Sequence, residues 1–383
     1  MRFLCVYVDG GKGHYIPAKA VQEQLIALGH EAILIEFFDL FKIKWIGKIN
    51  KKVWRLMLRS PKIENNFSKH SDQDSNGMEV ATKALKLFSK NSFKTTIKNY
   101  NPDLIFTTHP YPEVFIAEML DKLKIDIPVT YYATDVFSAP IATICNKITK
   151  YYISTSEGLE IVKNLGEDEN KLELSPFPLQ KSCAENKIKS KAEARSILGL
   201  KEDIFTLQIN YGGEGLGTNT LLKSLANIEK EIQVVILGGM NETTKENLKL
   251  ISAKMPKNIH VHIIGFTDKV NAYAIASDII AGRAGINTIL EAFYLRRPFL
   301  ITELVYTVKA SADYILKYNV GWNAHLDQEK QFDIIKECID NPQILESMDK
   351  NFDSIPIEYG ADKLALRLVE LAKKSWGNRC TTI

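Results

Sequence analysis

The sequence predicts an α/β protein made of two parallel sheets, each wound with helices on both faces. Three observations carry that expectation. Short apolar runs rich in β-branched and aromatic residues alternate with longer helix-like stretches along the chain, and this alternation implies parallel strands joined by helical crossovers. A strand–glycine-loop–helix unit also occurs twice, about 200 residues apart. Finally, 383 residues with 45% hydrophobic composition suffice for two separate cores.

Taken in order, the apolar run 3–8 (FLCVYV) enters the loop Asp9-Gly10-Gly11-Lys12-Gly13-His14. Ala18, Val21, Leu25 and Leu28 then recur at helical spacing, and Gly29 supplies a stop before a second strand, 32–37. Further strands are expected at 103–109, 128–134 and 150–155. Ser175-Pro176-Phe177-Pro178 reads as a linker, because two prolines remove donors and stiffen the chain. The second half repeats the pattern. Phe205–Asn210 runs into Tyr211-Gly212-Gly213-Glu214-Gly215-Leu216-Gly217-Thr218, a helix and the strand 233–237, with later strands at 260–265, 278–282 and 298–302. The expected division is an N-terminal Rossmann-like domain over 1–176, a second over 177–355, and a C-terminal helix and tail, 356–383, packing back on the first.

Lys+Arg 49 against Asp+Glu 46 leaves a formal charge of +3, which argues against a dedicated nucleic-acid binder or an acidic disordered chain. The five cysteines are scattered and odd in number, without a C-x-x-C pair. That spacing supports neither a disulfide framework nor a structural zinc site, and fits a reducing, cytoplasmic compartment. His260 and His262 share a strand face without a third ligand nearby, so no metal site is expected. The first apolar run is too short for a signal-peptide core, and no stretch reaches the ~18 apolar residues of a membrane span.

Both glycine loops fall at strand ends, where open parallel sheets bind ligands. Glycines let backbone N–H groups approach a phosphate, and the helix that follows favours negative charge. Neither loop is a Walker A, since the terminal Gly-Lys-Ser/Thr is missing. Two such loops facing one another would suit a diphosphate-linked substrate.

Particular residues sharpen this. Gly10-Gly11-Lys12-Gly13-His14-x-x-Pro17-Ala18 after the first strand is similar to the opening loop of inverting GT-B glycosyltransferases that use lipid acceptors. That family contains diacylglycerol glucosyltransferases, monogalactosyldiacylglycerol synthases and the lipid-II-forming GlcNAc transferase. Gly265-Phe266 through Tyr273, Ala276-Ser-Asp278 and Arg283-Ala-Gly285-Ile-Asn287-Thr288-Ile-Leu-Glu291 resemble its nucleotide-binding run. Pro102-Asp103 and Thr134-Asp135 resemble the glycolipid-forming branch.

The resemblance implies a GT-B fold and a UDP-sugar substrate, with no metal or other cofactor. His14 is then the candidate base for an acceptor hydroxyl, since imidazole titrates near neutrality; a structural histidine bonding its own loop is the alternative. Asp135 is a second base, an orienting partner or an N-cap. Gly10, Gly11, Gly13 and His109 are assigned to the acceptor or phosphate loop. Donor binding is assigned to Gly212, Gly213, Gly215, Phe266, Arg283, Gly285, Asn287, Thr288 and Glu291. Glu291 would accept from the two ribose hydroxyls, although Thr288-x-x-Glu291 also has capping-box spacing. Phe266 would hold the uracil through backbone contacts; otherwise it is a core aromatic. The family's Gly-Gln-Glu or His-x-x-x-Gln-Gln segment, which grips the donor sugar, is absent from 303–314, leaving Lys309 and Asp313 as candidates.

Lys42, Lys44, Lys48, Lys51, Lys52, Arg55, Arg59 and Lys62 fall in one window without an acid. Trp45, Ile46, Ile49, Val53, Trp54, Leu56 and Met57 recur among them at helical spacing. A basic amphipathic helix with tryptophan suits the headgroup layer of an anionic membrane. Lys44, Trp45, Lys48, Lys51, Lys52, Trp54, Arg55 and Arg59 are its candidate contacts; a stripe packed on the N-terminal domain is the alternative.

Together these features predict an inverting transfer of a hexose from a UDP-sugar to diacylglycerol or its monoglycosyl form, at the inner face of the cell membrane. The rival readings are GlcNAc transfer to a polyprenyl-diphosphate intermediate, a UDP-sugar epimerase, and a non-catalytic UDP-sugar-binding regulator at the membrane.

Overall fold

β1 (Arg2–Tyr7) pairs in parallel with β2 (Glu31–Glu36) on one side and with β3 (Leu104–Thr107) on the other. β4 (Val129–Tyr132), β5 (Lys150–Ile153) and β6 (Leu172–Leu174) extend the sheet beyond β3, giving the order β2-β1-β3-β4-β5-β6. This computed structural model describes all residues except 10–11, 59–62, 64–65, 67–68, 70–88, 139–144, 146, 211–217 and 381–383; at 54, 55, 58, 111–113, 307 and 376–380 it describes the backbone alone.

The second sheet is also parallel throughout, in the order β12-β11-β10-β7-β8-β9. Its strands are β7 (Phe205–Asn210), β8 (Ile232–Leu237), β9 (Ile259–Gly265), β10 (Ile279–Arg283), β11 (Phe299–Glu303) and β12 (Gly321–Asn323). The fold class is thus the predicted one. β3, β4 and β8 are buried along their whole length, because helices cover both faces of a parallel sheet. Buried Gln233 in β8 is satisfied: it accepts from the Lys201 N–H (3.1 Å) and donates to the Thr206 hydroxyl (2.8 Å).

The chain divides into two units, Met1–Ala184 with Pro356–Ile383, and Glu185–Ile355. The first division thus falls after Ala184, beyond the proline segment that reads as a linker. Phe177 is buried within the first unit. Its N–H donates to the Glu358 carbonyl (2.7 Å), and its own carbonyl accepts from Gly360 N–H (3.0 Å). Prolines at 176 and 178 leave the amide of Phe177 free to make this short parallel bridge. The helix Ala361–Cys380 then packs on α1 (Lys12–Ala27), with Leu364, Ala365, Leu368 and Ala372 fully buried.

Strand β2 stops one residue earlier than its apolar run. Glu36 turns its carboxylate back to accept from Phe38 N–H (2.7 Å) and Asp39 N–H (3.3 Å), capping the one-turn helix α2 (Phe37–Leu40). Burial pushes the Glu36 carboxyl up to about 7 against the opposing pull of those N–H bonds.

Candidate active site

In each sheet the strand order reverses at one point. In the first unit the chain leaves β1 for β2 and returns on the other side as β3; in the second it leaves β7 for β8 and returns as β10. Crevices at the carboxyl ends of strands flanking such a reversal are the expected ligand sites. The site residues gather at both.

His14 lies in the first turn of α1, just beyond β1. Pro17 cannot donate to the Gly13 carbonyl, so this turn is weakened from within. The residue after β3 anchors it instead: Thr108 Oγ1 donates to the His14 carbonyl (2.8 Å), and His14 Nδ1 lies 2.6 Å from the Thr108 carbonyl oxygen. A carbonyl only accepts, so Nδ1 carries the hydrogen and Nε2 keeps the lone pair. The Thr134 hydroxyl oxygen, past the end of β4, shares the same N–H at 2.9 Å. Burial, partly opposed by the Thr108 bond, pushes the His14 imidazolium down to about 4. His14 is therefore a neutral imidazole of fixed tautomer at physiological pH. His109 packs its ring edge-on to His14, and burial, followed by the charge His14 would carry, holds it well below the usual histidine range.

Asp135 opens a turn closed by Ser138 N–H on its carbonyl (3.1 Å), so no helix begins at 136–138 for it to cap. The hydrogen bonds that orient His14 belong to Thr108 and Thr134. Sequence reasoning passed over both threonines in that role; their only signal was a position at the ends of β3 and β4. Gly13 is described and exposed, whereas Gly10 and Gly11 lie outside the described residues.

In the second unit, Arg283 ends β10 and Gly285 is the N-cap of the helix Ile286–Tyr294, without a side-chain cap. Thr288 therefore stands inside the helix, and the capping box that its spacing with Glu291 suggested does not form. Glu291 lies on the next turn, half-buried, and Asn287 is buried. Phe266 is 78% exposed, so it is no core aromatic; it follows Gly265, whose φ of +76° places it in the left-handed region. Arg283 Nη2 donates to Glu303 Oε1 at 2.6 Å. Lys309 holds its ammonium 3.9 Å from the Tyr306 ring centre, and Asp313 is exposed in the helix Ala310–Lys317. Gly212, Gly213 and Gly215 lie outside the described residues. Asp278 sits at the opposite end of its strand. It accepts from Arg195 Nη2 (2.8 Å) and Thr206 N–H (2.7 Å), so that part of the nucleotide-binding run is structural.

Helix α3 (Lys44–Leu58) bears the basic window. Trp45, Ile49, Val53 and Leu56 are each about half exposed or more, and their spacing puts them on one outward stripe. The inner face rests on α2, where Gly47 comes so close that a Cβ there would lie 3.1 Å from the Phe38 ring. Lys51 turns inward to an ion pair with Asp9, and Lys44 lies 3.5 Å from Asp39, so acids outside the window balance part of it. Lys48 and Lys52 are exposed. The side chains of Trp54 and Arg55, and all of Arg59, lie outside the described residues. Among the described residues, no helix is long and apolar enough to cross a membrane, and no group of three or more His, Cys, Asp or Glu is arranged to hold a metal ion.

Comparison with known proteins follows the same two halves. The family profile for monogalactosyldiacylglycerol (MGDG) synthase matches residues 14–178, and that for the glycosyltransferase family 28 C-terminal domain matches 218–353. The "Probable monogalactosyldiacylglycerol synthase 2, chloroplastic" of Oryza sativa subsp. indica is 24% identical over 323 residues, 79% of this chain and 66% of that protein. The "Processive diacylglycerol beta-glucosyltransferase" of Staphylococcus aureus (strain Newman) is 25% identical over 213 residues, 54% of this chain and 52% of that protein. The matched region thus spans between half and two thirds of these relatives. Among solved structures, Acinetobacter baumannii MurG superposes with a TM-score of 0.66 at 16% identity, covering 97% of this chain and 99% of that one. S. aureus MnaA, solved with UDP, gives 0.63 at 13% identity, covering 96% and 95%. The chain thus has the GT-B fold, and its two halves resemble, respectively, the MGDG synthases and the C-terminal domain of family 28 glycosyltransferases.

Proposed function

We propose that this protein transfers a hexose from a UDP-sugar to the hydroxyl of a membrane lipid, diacylglycerol or its monoglycosyl form, inverting the anomeric carbon. The observation that carries this reading is His14, held neutral with Nδ1 committed to Thr108 and the Nε2 lone pair left to accept a proton. The acceptor proton passes to Nε2 as the lipid oxygen bonds to C1 of the sugar. The bond from C1 to the UDP oxygen breaks, and its electron pair leaves with UDP. Arg283 and the N-terminus of the helix Ile286–Tyr294 offset the charge that develops on the diphosphate, so the step needs no metal. Glu291 receives the ribose hydroxyls, and Phe266 flanks the base.

The lipid acceptor is supported by the N-terminal match to the MGDG synthases, by the diacylglycerol named as acceptor for the S. aureus relative, and by the outward apolar stripe of α3. That stripe, flanked by Lys48 and Lys52, suits shallow insertion into an anionic surface at the inner face of the cell membrane.

The test is incubation with UDP-glucose, UDP-galactose or UDP-GlcNAc and diacylglycerol in phosphatidylglycerol vesicles, reading UDP release and the lipid product. A product on diacylglycerol is expected. Substituting a polyprenyl-diphosphate acceptor, or omitting lipid and analysing the sugar for epimerisation, separates the other activities. Absence of UDP release with every donor, together with no thermal shift from UDP, would remove the enzyme reading.

A further inference from the structure

We propose that Glu303 is a positioning residue for the donor diphosphate, acting through Arg283; this rests on the donor reading above. Arg283 and Glu303 are register partners at the carboxyl ends of β10 and β11. The register shifts between Gly282 and Arg283, so that Gly282 faces Ile301 while Arg283 faces Glu303. An irregularity of this kind re-aims a side chain, and such features gather beside active sites. The guanidinium and carboxylate meet at 2.6 Å, with side-chain exposures of 14% and 3% respectively. The carboxylate is thus the more deeply buried of the two, and both side chains are largely enclosed. Two residues further on, Gly285 opens the helix whose N-terminus favours a phosphate.

A plain structural staple explains less. The strand ends are already tied by backbone pairing from Ile280 with Phe299 to Gly282 with Ile301, and by Ala284 N–H on the Glu303 carbonyl at 2.8 Å. A buried ion pair also adds little stability over apolar side chains of similar size. What the carboxylate does add is orientation. A guanidinium carries five donors in a rigid fork, so one edge on Glu303 fixes where the rest of the fork points. Glu303 also opens the 303–314 stretch in which the family's sugar-gripping segment is missing. In this chain, that stretch contributes to donor binding from behind the arginine.

The experiment measures UDP and uridine affinity by calorimetry in wild type, Glu303→Gln and Arg283→Met, and in the double variant. Glu303→Gln is expected to weaken UDP roughly ten- to a hundredfold, the worth of a misaligned charge-assisted contact. Uridine, which has no phosphate, should hold its affinity. In the Arg283→Met background, Glu303→Gln should have no further effect on UDP. Equal loss of UDP and uridine, or unchanged UDP affinity, would overturn the proposal. Should Glu303→Gln fail to fold, Glu303→Asp keeps the charge but withdraws the oxygens, and there too UDP must weaken while uridine does not. A wild-type protein that binds neither ligand would dismiss the donor reading, and with it this role for Glu303.

Discussion

The ring of His109 meets the ring of His14 edge-on, with 4.4 Å between their centres. Two imidazoles so close and so enclosed resist protonation together. The His14 imidazolium loses its proton near pH 4, where an ordinary histidine would do so near 6.5. With His14 as the proposed base, kcat/KM is expected to stay flat from pH 8 to about 5, falling only as pH approaches 4. Stability follows the same sign. With its folded value depressed, His14 supports the fold fully above about 6.5 and loses that support as pH drops towards 4. A pH–rate profile and an NMR titration of the imidazole check both; an inflection at 6.5 would contradict them.

Thr134 shares the Nδ1 hydrogen with a backbone carbonyl that no mutation can delete. Thr134→Val should leave the tautomer intact but loosen the ring. The expected result is a fall in kcat of roughly three- to tenfold at unchanged KM for the donor, from the loss of one modest hydrogen bond. His14→Ala, by contrast, should cost on the order of 10²–10⁴ in kcat while UDP still binds.

Since the helix Ile286–Tyr294 is capped at Gly285, Glu291 has no capping duty. Glu291→Gln should therefore leave the melting temperature within a degree or two, yet weaken uridine and UDP alike by about tenfold, because one of two strong acceptors becomes a donor. A large fall in melting temperature would return Glu291 to a structural role.

Trp45 is 63% and Leu56 65% exposed on the outward stripe of α3. Replacing both with glutamate should abolish sedimentation with phosphatidylglycerol vesicles and spare UDP binding. Wild-type binding should fall with added salt, as screening weakens the attraction of Lys48 and Lys52. Gly47→Ala tests the other face. Its Cβ would meet the Phe38 ring at 3.1 Å, and that strain opposes the ~1 kcal/mol that alanine gains over glycine inside a helix, so urea denaturation should show no net stabilisation.

The sheets were legible because several strands are buried throughout and read as largely apolar runs, such as Val129–Tyr132 and Ile232–Leu237, each with a single polar residue inside. Boundaries were less so wherever a polar side chain competed with the strand, as Glu36 does by capping α2. Of the candidate site, the places of His14 and Gly285 beyond strand ends were legible from their motifs. The site was illegible where partners came from distant segments. Thr108 and His14, Glu303 and Arg283, and Lys51 and Asp9 are brought together by strand order, which local periodicity does not encode. The basic window looked unbalanced for the same reason, since Asp9 and Asp39 lie outside it in sequence.

The packing of Ala361–Cys380 against α1 has a consequence for the order of synthesis. The helix that bears His14 leaves the ribosome before the second unit, but it packs on a segment translated after the whole of that unit. Chains generally fold from the N-terminus as they emerge. Here the first unit is completed only after the second has been made, so a nascent chain whose second unit has folded would still lack a finished first unit. A truncation before Ala361 should therefore leave the second unit folded and the His14 turn unsupported.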